Sequence, residues 1–199
     1  GFYERQPPAA VGGANANNDV METLLKDLES HVKAAVGKLT QDLQGIRSGR
    51  PSPQLLENIQ VTYFEQRTPI KHLGSLSIKP PREIIVTVWD QNAVHAVAKA
   101  IQEAKIGLTP NVERNTIRCF LPPLTEEQRK EFGKLVGRMA EETRIKIRTQ
   151  RDEAVKKVKS EEADEDQVFR TKEKIQKLVD EANAKVESLV KGKLEELQE

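Results

Sequence analysis

The chain has 199 residues, enough for one large domain or two small ones. Charged residues make up 32% and aromatics 4%, a balance that suits long exposed helices better than a thick globular core. The formal net charge is +1, no run of 18 apolar residues occurs and there is one cysteine. Binding to an acidic polymer therefore needs a local patch, a membrane-spanning helix is not expected, and Cys119 has no partner for an internal disulfide.

Residues 1–18, GFYERQPPAAVGGANANN, lack periodicity and read as a flexible N-terminal extension. The first residue is Gly, not Met, which reads as the end left by a removed targeting peptide, or else as a cloning remnant. A helix is predicted from near Asp19. Leu25, Val32, Leu39 and Ile46 recur at seven residues, as do Met21, Leu28 and Ala35. Asp42 breaks the second series, while Leu24, Val36 and Leu43 widen the stripe. Such a seam is built to pack against other long helices. His31 beside it reads as a packing or surface residue.

The helix is expected to stop at IRSGRPSP, residues 46–53. Gly49 can take a left-handed cap, and Pro51 and Pro53 forbid continuation. Alternation of Ile59, Val61 and Tyr63 then predicts a strand, Thr68-Pro69 a turn, and Leu76 with Ile78 a second strand closed by Pro80-Pro81. EIIVTVW, 83–89, predicts a buried strand, and Asp90 a cap for a helix with Val94, Val97, Ala98 and Ile101 on one face. IGLTPNVERN carries turn signals, and TIRCF, 116–120, reads as a last strand before Pro122-Pro123. Residues 50–122 are thus expected to be a small β/α/β domain inserted between long helices.

Thr125 and Gln128 form a capping-box pattern, and nothing breaks the following helix until about Ser160. At 1.5 Å per residue it would be roughly 50 Å long. Phe132, Val136, Met139, Thr143, Ile147, Ala154 and Val158 fall on one side. Arg144, Arg148 and Arg151 form a second line beside them. Between Arg144 and Lys159 the basic residues far outnumber the two acids, Asp152 and Glu153. The acids return as the block EEADED at 161–166. A helix that is only soluble mixes its signs more evenly.

A third long helix is expected to run to about Leu197, its stripe drawn from Val168, Thr171, Ile175, Leu178, Ala182, Val186, Leu189 and Leu197. Three long helices with matching stripes, 19–49 and 123–199, predict an α+β chain: a long antiparallel three-helix bundle carrying the insert. Both connections leave from one end of the bundle. Side by side they predict a two-stranded hinge of Arg47, Ser48, Gly49, Arg50 and Pro51 with Leu121, Pro122, Pro123 and Leu124.

Signals for enzyme chemistry are absent. The histidines are isolated, and neither a GxxxxGK[ST] loop, nor GxGxxG, nor GxSxG occurs. Arginines are the notable feature: Arg47 and Arg50 beside Gly49, Arg129 at the start of the second long helix, and the row Arg144, Arg148 and Arg151. A guanidinium fork matches phosphate, and a row at one-turn intervals along a rod can track a phosphate backbone. With few aromatics to stack on bases, recognition of structured RNA by shape and charge is the better expectation. A coiled-coil adaptor and an RNA-binding storage protein are the competing readings.

The motif IRSGRPSPQLLENIQV, the stretch KAIQEAKIGLTPN and the block IRCFLPPLTEEQRKEF, in that order between long helices, resemble the ribosome recycling factor family over about residues 19–199. The resemblance implies an L-shaped, tRNA-like molecule with a mobile smaller domain. It implies binding to the post-termination, prokaryotic-type ribosome, mainly through large-subunit rRNA. Subunit splitting would follow with elongation factor G, which itself uses GTP. It further implies no covalent chemistry, no cofactor or metal, no membrane, and a monomer in solution. Arg129, Arg148 and Arg151 match the family's important arginines, with Arg144 on the same stripe, and Arg47 and Arg50 match those of the hinge. Gln128 stands where bacterial members often carry Arg, and Lys105 replaces an acidic or polar residue. The extension points to an organellar form, in the chloroplast stroma first, with the mitochondrial matrix or a bacterial cytoplasm as alternatives.

Overall fold

A computed structural model describes residues 13–199, with side chains from Ala16 onward. Most of the segment read as an extension therefore lies outside the described residues. The chain is α+β. Three long helices, α1 (Gly13–Gln44), α3 (Glu126–Ser160) and α4 (Glu165–Gln198), accompany a part built on small antiparallel sheets.

Cα proximity divides the chain into two compact units, residues up to Lys38 with Glu141–Glu187, and Leu39–Ala140 with Ser188–Glu199. All three long helices contribute to both. The expected domain boundaries at 49/50 and 122/123 both fall inside the second unit.

In the first unit Met21, Leu28 and Val32 of the α1 heptad series are buried, with Leu24 beside them. Thr143, Ile147, Ala154 and Val158 of α3 and Thr171, Ile175, Val179, Ala182 and Val186 of α4 are buried with them. Fully burying such aliphatic side chains is worth about 1.5–3 kcal/mol each. The link between α3 and α4 is short, and Asp164 caps α4 by accepting from the Gln167 N–H at 2.7 Å. α1 begins at Gly13, ahead of the expected start near Asp19. Amide side chains explain the extra turn. Asn17 donates to the Glu162 carbonyl at 2.7 Å, and Gln167 donates to Asn18 Oδ1 at 2.6 Å, tying the start of α1 to the α3–α4 link. His31 is exposed and takes part in a local bond to the Asp27 carbonyl.

In the second unit, strands β1 (Gln60–Tyr63) and β2 (Gln66–Pro69) form a hairpin. Its two-residue turn is Phe64-Glu65, with φ of 49° and 63°. Two positive φ values make the turn whose twist suits a hairpin, but it is usually marked by Asn-Gly. Thr68-Pro69, expected to be a turn, instead lies in β2. Strands β3 (Gly74–Lys79), β4 (Glu83–Val88), β5 (Thr109–Glu113) and β6 (Thr116–Phe120) make an antiparallel sheet in the order β3-β4-β6-β5. Helix α2 (Val94–Glu103) covers one face. Ile84, Val86 and Val88 of β4, Ile117 and Cys119 of β6, and Val94, Val97 and Ile101 of α2 form the core.

β5 occupies the stretch that carries turn signals. As an edge strand with mostly exposed residues it needs no apolar alternation, and Pro110, lacking an N–H, is tolerated there. Before α2, Asp90 accepts from the Asn92 N–H at 3.0 Å, and the Tyr63 hydroxyl donates to its other oxygen. The tyrosine bond, then the backbone N–H, hold the Asp90 carboxyl below its usual pKa, and the same contact raises Tyr63.

At the start of α3 the capping box is reciprocal. The Gln128 N–H donates to Thr125 Oγ1 at 3.1 Å, and the Thr125 N–H donates to Gln128 Oε1 at 3.0 Å. Glu126 and Glu127 in the first turn, and Lys157 and Lys159 in the last, complement the helix dipole. Replacing Thr125 by Ala is expected to cost about 1 kcal/mol of stability, read from the urea midpoint by circular dichroism.

Burial pushes the Cys119 thiol up from 9.0 to about 11. Its neutral form is favoured in the folded state, so its contribution is fully present below pH 9 and is lost as pH rises toward 11. The stability difference between the wild type and Cys119→Ala is expected to shrink across that window. Thiol reagent at pH 8 is expected to modify Cys119 only on unfolding.

Candidate functional site

The arginines fall into two groups. On α3 in the first unit, Arg148 is exposed, and Arg144 and Arg151 are part-exposed. Arg144 lies 3.7 Å from Glu141, and Arg151 donates through Nε and Nη2 to Asp152 Oδ1 at 3.1 and 2.9 Å. Arg148 has no ion pair among the described residues. Solvent-exposed pairs of this kind are worth at most about 1 kcal/mol, so neither acid holds a guanidinium back from a phosphate. Ile145, 49% exposed, stands beside Arg144 and lies off the buried stripe. Lys146, Lys156 and Lys159 are exposed nearby in sequence. This segment can present a row of cations to an anionic surface.

In the second unit, Arg129 sits in the second turn of α3, half-buried, with Nε shielded from water and without a hydrogen bond. Arg50 is exposed, and its guanidinium meets the Glu199 carboxylate, Nη2 donating to Oε1 at 2.5 Å and Nε facing Oε2. Arg47 differs from all the others. It is 5% exposed, and Nη2 donates to the Pro122 carbonyl. Burial, then the neighbouring Arg82 guanidinium, lowers its pKa. Arg47, expected among the RNA-facing arginines, is thus buried in this structure where the others reach the surface at least in part. Its side chain spans the two connecting segments.

The remaining connecting residues are unevenly buried. Ser48 is 6% exposed, Leu121 fully buried and Leu124 6% exposed, while Pro51 and Pro122 are half-buried and Pro123 exposed. Gly49 does not adopt the expected left-handed conformation; Gly107, φ 82°, is the one glycine that does among the described residues. α1 has already ended at Gln44. The Gly45 N–H reaches Gln41 O at 3.2 Å and the Ile46 N–H reaches Leu43 O at 3.2 Å, a tightening of the last turn. The carbonyl of Ile46, two residues past the end of the helix, accepts from Lys193 Nζ of α4.

Lys193, Arg82, Gly107 and Glu199 are the site residues that sequence reasoning missed. A signal existed for Lys193. It lies four residues after Leu189 and four before Leu197, on the buried stripe of α4, and is 9% exposed. No comparable pattern marks Arg82, Gly107 or Glu199. Among the described residues no cluster of His, Cys, Asp or Glu could hold a metal, and no helix is long and apolar enough to cross a membrane.

A family model described as "Ribosome recycling factor" matches residues 39–197. The chain is 39% identical over 178 residues to the ribosome-recycling factor of Thermomicrobium roseum, covering 87% of this chain and 96% of that protein. It is also 39% identical to that of Aquifex aeolicus, covering 89% and 96%. A solution structure of a ribosome recycling factor matches with a TM-score of 0.75 at 38% identity, covering 89% of this chain and 97% of the other. A second match, TM-score 0.65 at 35% identity over 89% and 98%, is to the T. thermophilus ribosome recycling factor, from models of it and E. coli elongation factor G bound to the E. coli post-termination complex.

A Cβ on Gly49 would meet the Glu199 backbone at 3.5 Å, ordinary van der Waals contact, with no left-handed φ to strain it. Gly49→Ala is therefore expected to leave the urea midpoint within about 0.5 kcal/mol of wild type.

Proposed function

The chain belongs to the ribosome recycling factor family, and on that premise we propose that it binds the post-termination ribosome and, with elongation factor G and GTP, splits it into subunits. mRNA and tRNA leave in the same process. The observation that carries this reading is the family match across the long helices and the insert. The relative bound with elongation factor G on a ribosomal complex supports the choice of partners.

The chain's own part is binding and motion, not covalent chemistry. Arg144, Arg148 and Arg151 form the face toward large-subunit rRNA, with Arg129 and Arg50 as further contacts. Phosphate contacts of this kind make affinity fall steeply with salt. The segments 47–51 and 121–124 act as the hinge about which an inserted domain, 50–122, moves relative to a bundle of 19–49 and 123–199. No cofactor is needed, since the GTP is hydrolysed by elongation factor G. The protein acts as a monomer, its apolar stripes being buried within the chain. Its place of work is a compartment with bacterial-type ribosomes, read here as the chloroplast stroma.

Light scattering of post-termination, bacterial-type ribosomes tests the proposal. A drop in scattering that requires this protein, elongation factor G and GTP together is the expected result. Binding without splitting would favour a storage role, and no binding would refute the reading. Arg148→Glu and Arg151→Glu are each expected to weaken ribosome binding at least several-fold and to flatten its salt dependence, with helicity unchanged.

A further inference from the structure

We propose that Arg47 is a positioning residue: a latch, closed on the Pro122 carbonyl and seated in a notch at Gly107, that sets how the sheet part is held against the helix ends within the second unit. Its role in subunit splitting rests on the function proposed above. The latch itself stands on the geometry of this chain.

Three segments meet at one side chain. Arg47 lies in the strand that leaves α1. Its Nη2 donates to Pro122 in the strand that leads to α3. Its Nη1 lies 2.7 Å from where a Cβ on Gly107 would be, in the loop between α2 and β5. Gly107 is needed twice, for its φ of 82° and for the space that its missing side chain leaves. Two connecting strands alone would let the sheet part pivot on a few backbone torsions. A planar fork fixed against a carbonyl and inside a notch removes that freedom.

The seat is polar but thinly satisfied. Arg47 Nε is buried without a hydrogen bond, and so is Nη1 of Arg82, the neighbouring cation. A buried guanidinium held by a neutral carbonyl beside a like charge recovers little of its lost hydration. Specific shape holds it closed, and opening returns a cation to water.

The test uses the isolated full chain, without ribosomes, so its failure is separate from failure of the proposed function. Cysteines introduced at the exposed positions Gln66 and Lys130 carry a donor and an acceptor dye, and buried Cys119 stays unlabelled. Single-molecule transfer efficiency is then recorded. A single narrow distribution is expected for the wild-type background. Arg47→Met, which keeps the stem, and Gly107→Ala, which fills the notch and displaces the fork, are both expected to broaden the distribution and shift its mean. Arg47→Lys, which keeps the charge and loses the fork, is expected to do the same if Arg47→Met does not fold. Folded variants with the wild-type distribution would overturn the latch.

Discussion

The end of α1 is the point on which much of the second unit depends. A helix that stops inside a protein leaves carbonyls without partners, and each must be satisfied or exposed. Here the Gln41 and Leu43 carbonyls are met locally by the Gly45 and Ile46 N–H groups, and another helix holds the chain just beyond them. Lys193 lays its stem along the buried stripe of α4 and delivers its ammonium to the Ile46 carbonyl, while the same nitrogen lies 3.3 Å from Glu196 Oε2. A cation near a helix C-terminus also complements the dipole. From that fixed point the chain turns directly into Arg47 and Ser48, both buried. A lysine far away in sequence thus holds the start of the first connecting segment.

The two groups of arginines illustrate how the same residue type serves opposite ends. Arg148 and its neighbours on α3 keep their forks in water, paired weakly or not at all, and so remain available to an outside anion. Arg47 has given up water for a carbonyl and the edge of a glycine. Sequence spacing treats both groups alike, since a guanidinium near a chain turn and one along a helix are equally plausible phosphate contacts. Burial separates them.

Much of the fold is legible from residues that act locally. The capping box of Thr125 and Gln128 needs only its own four residues, and the long stripes of α1, α3 and α4 need only helical periodicity. β4 and β6 are legible because both are apolar on the face under α2. What stays hidden depends on partners distant in sequence. Phe64 and Glu65 turn the hairpin with positive φ although neither residue favours it, so the pairing of Val61 with Thr68 around them settles the geometry. β5 is held by β6 and carries no apolar pattern of its own. Gly49 reads as a cap because nothing in its own neighbourhood reveals that α1 closes its last turn earlier, at Gly45 and Ile46. Gly107 reads as an ordinary loop glycine until the guanidinium beside it is known.

The unpatterned character of β5 carries a meaning beyond prediction. It forms one outer margin of the four-stranded sheet, and Pro110 leaves a gap in the donors offered there. The opposite margin, β3, ends at Lys79 and runs into Pro80-Pro81. Charges and prolines on outer strands block the addition of a further strand from a neighbouring molecule. The sheet is in this way closed to growth without being closed into a barrel.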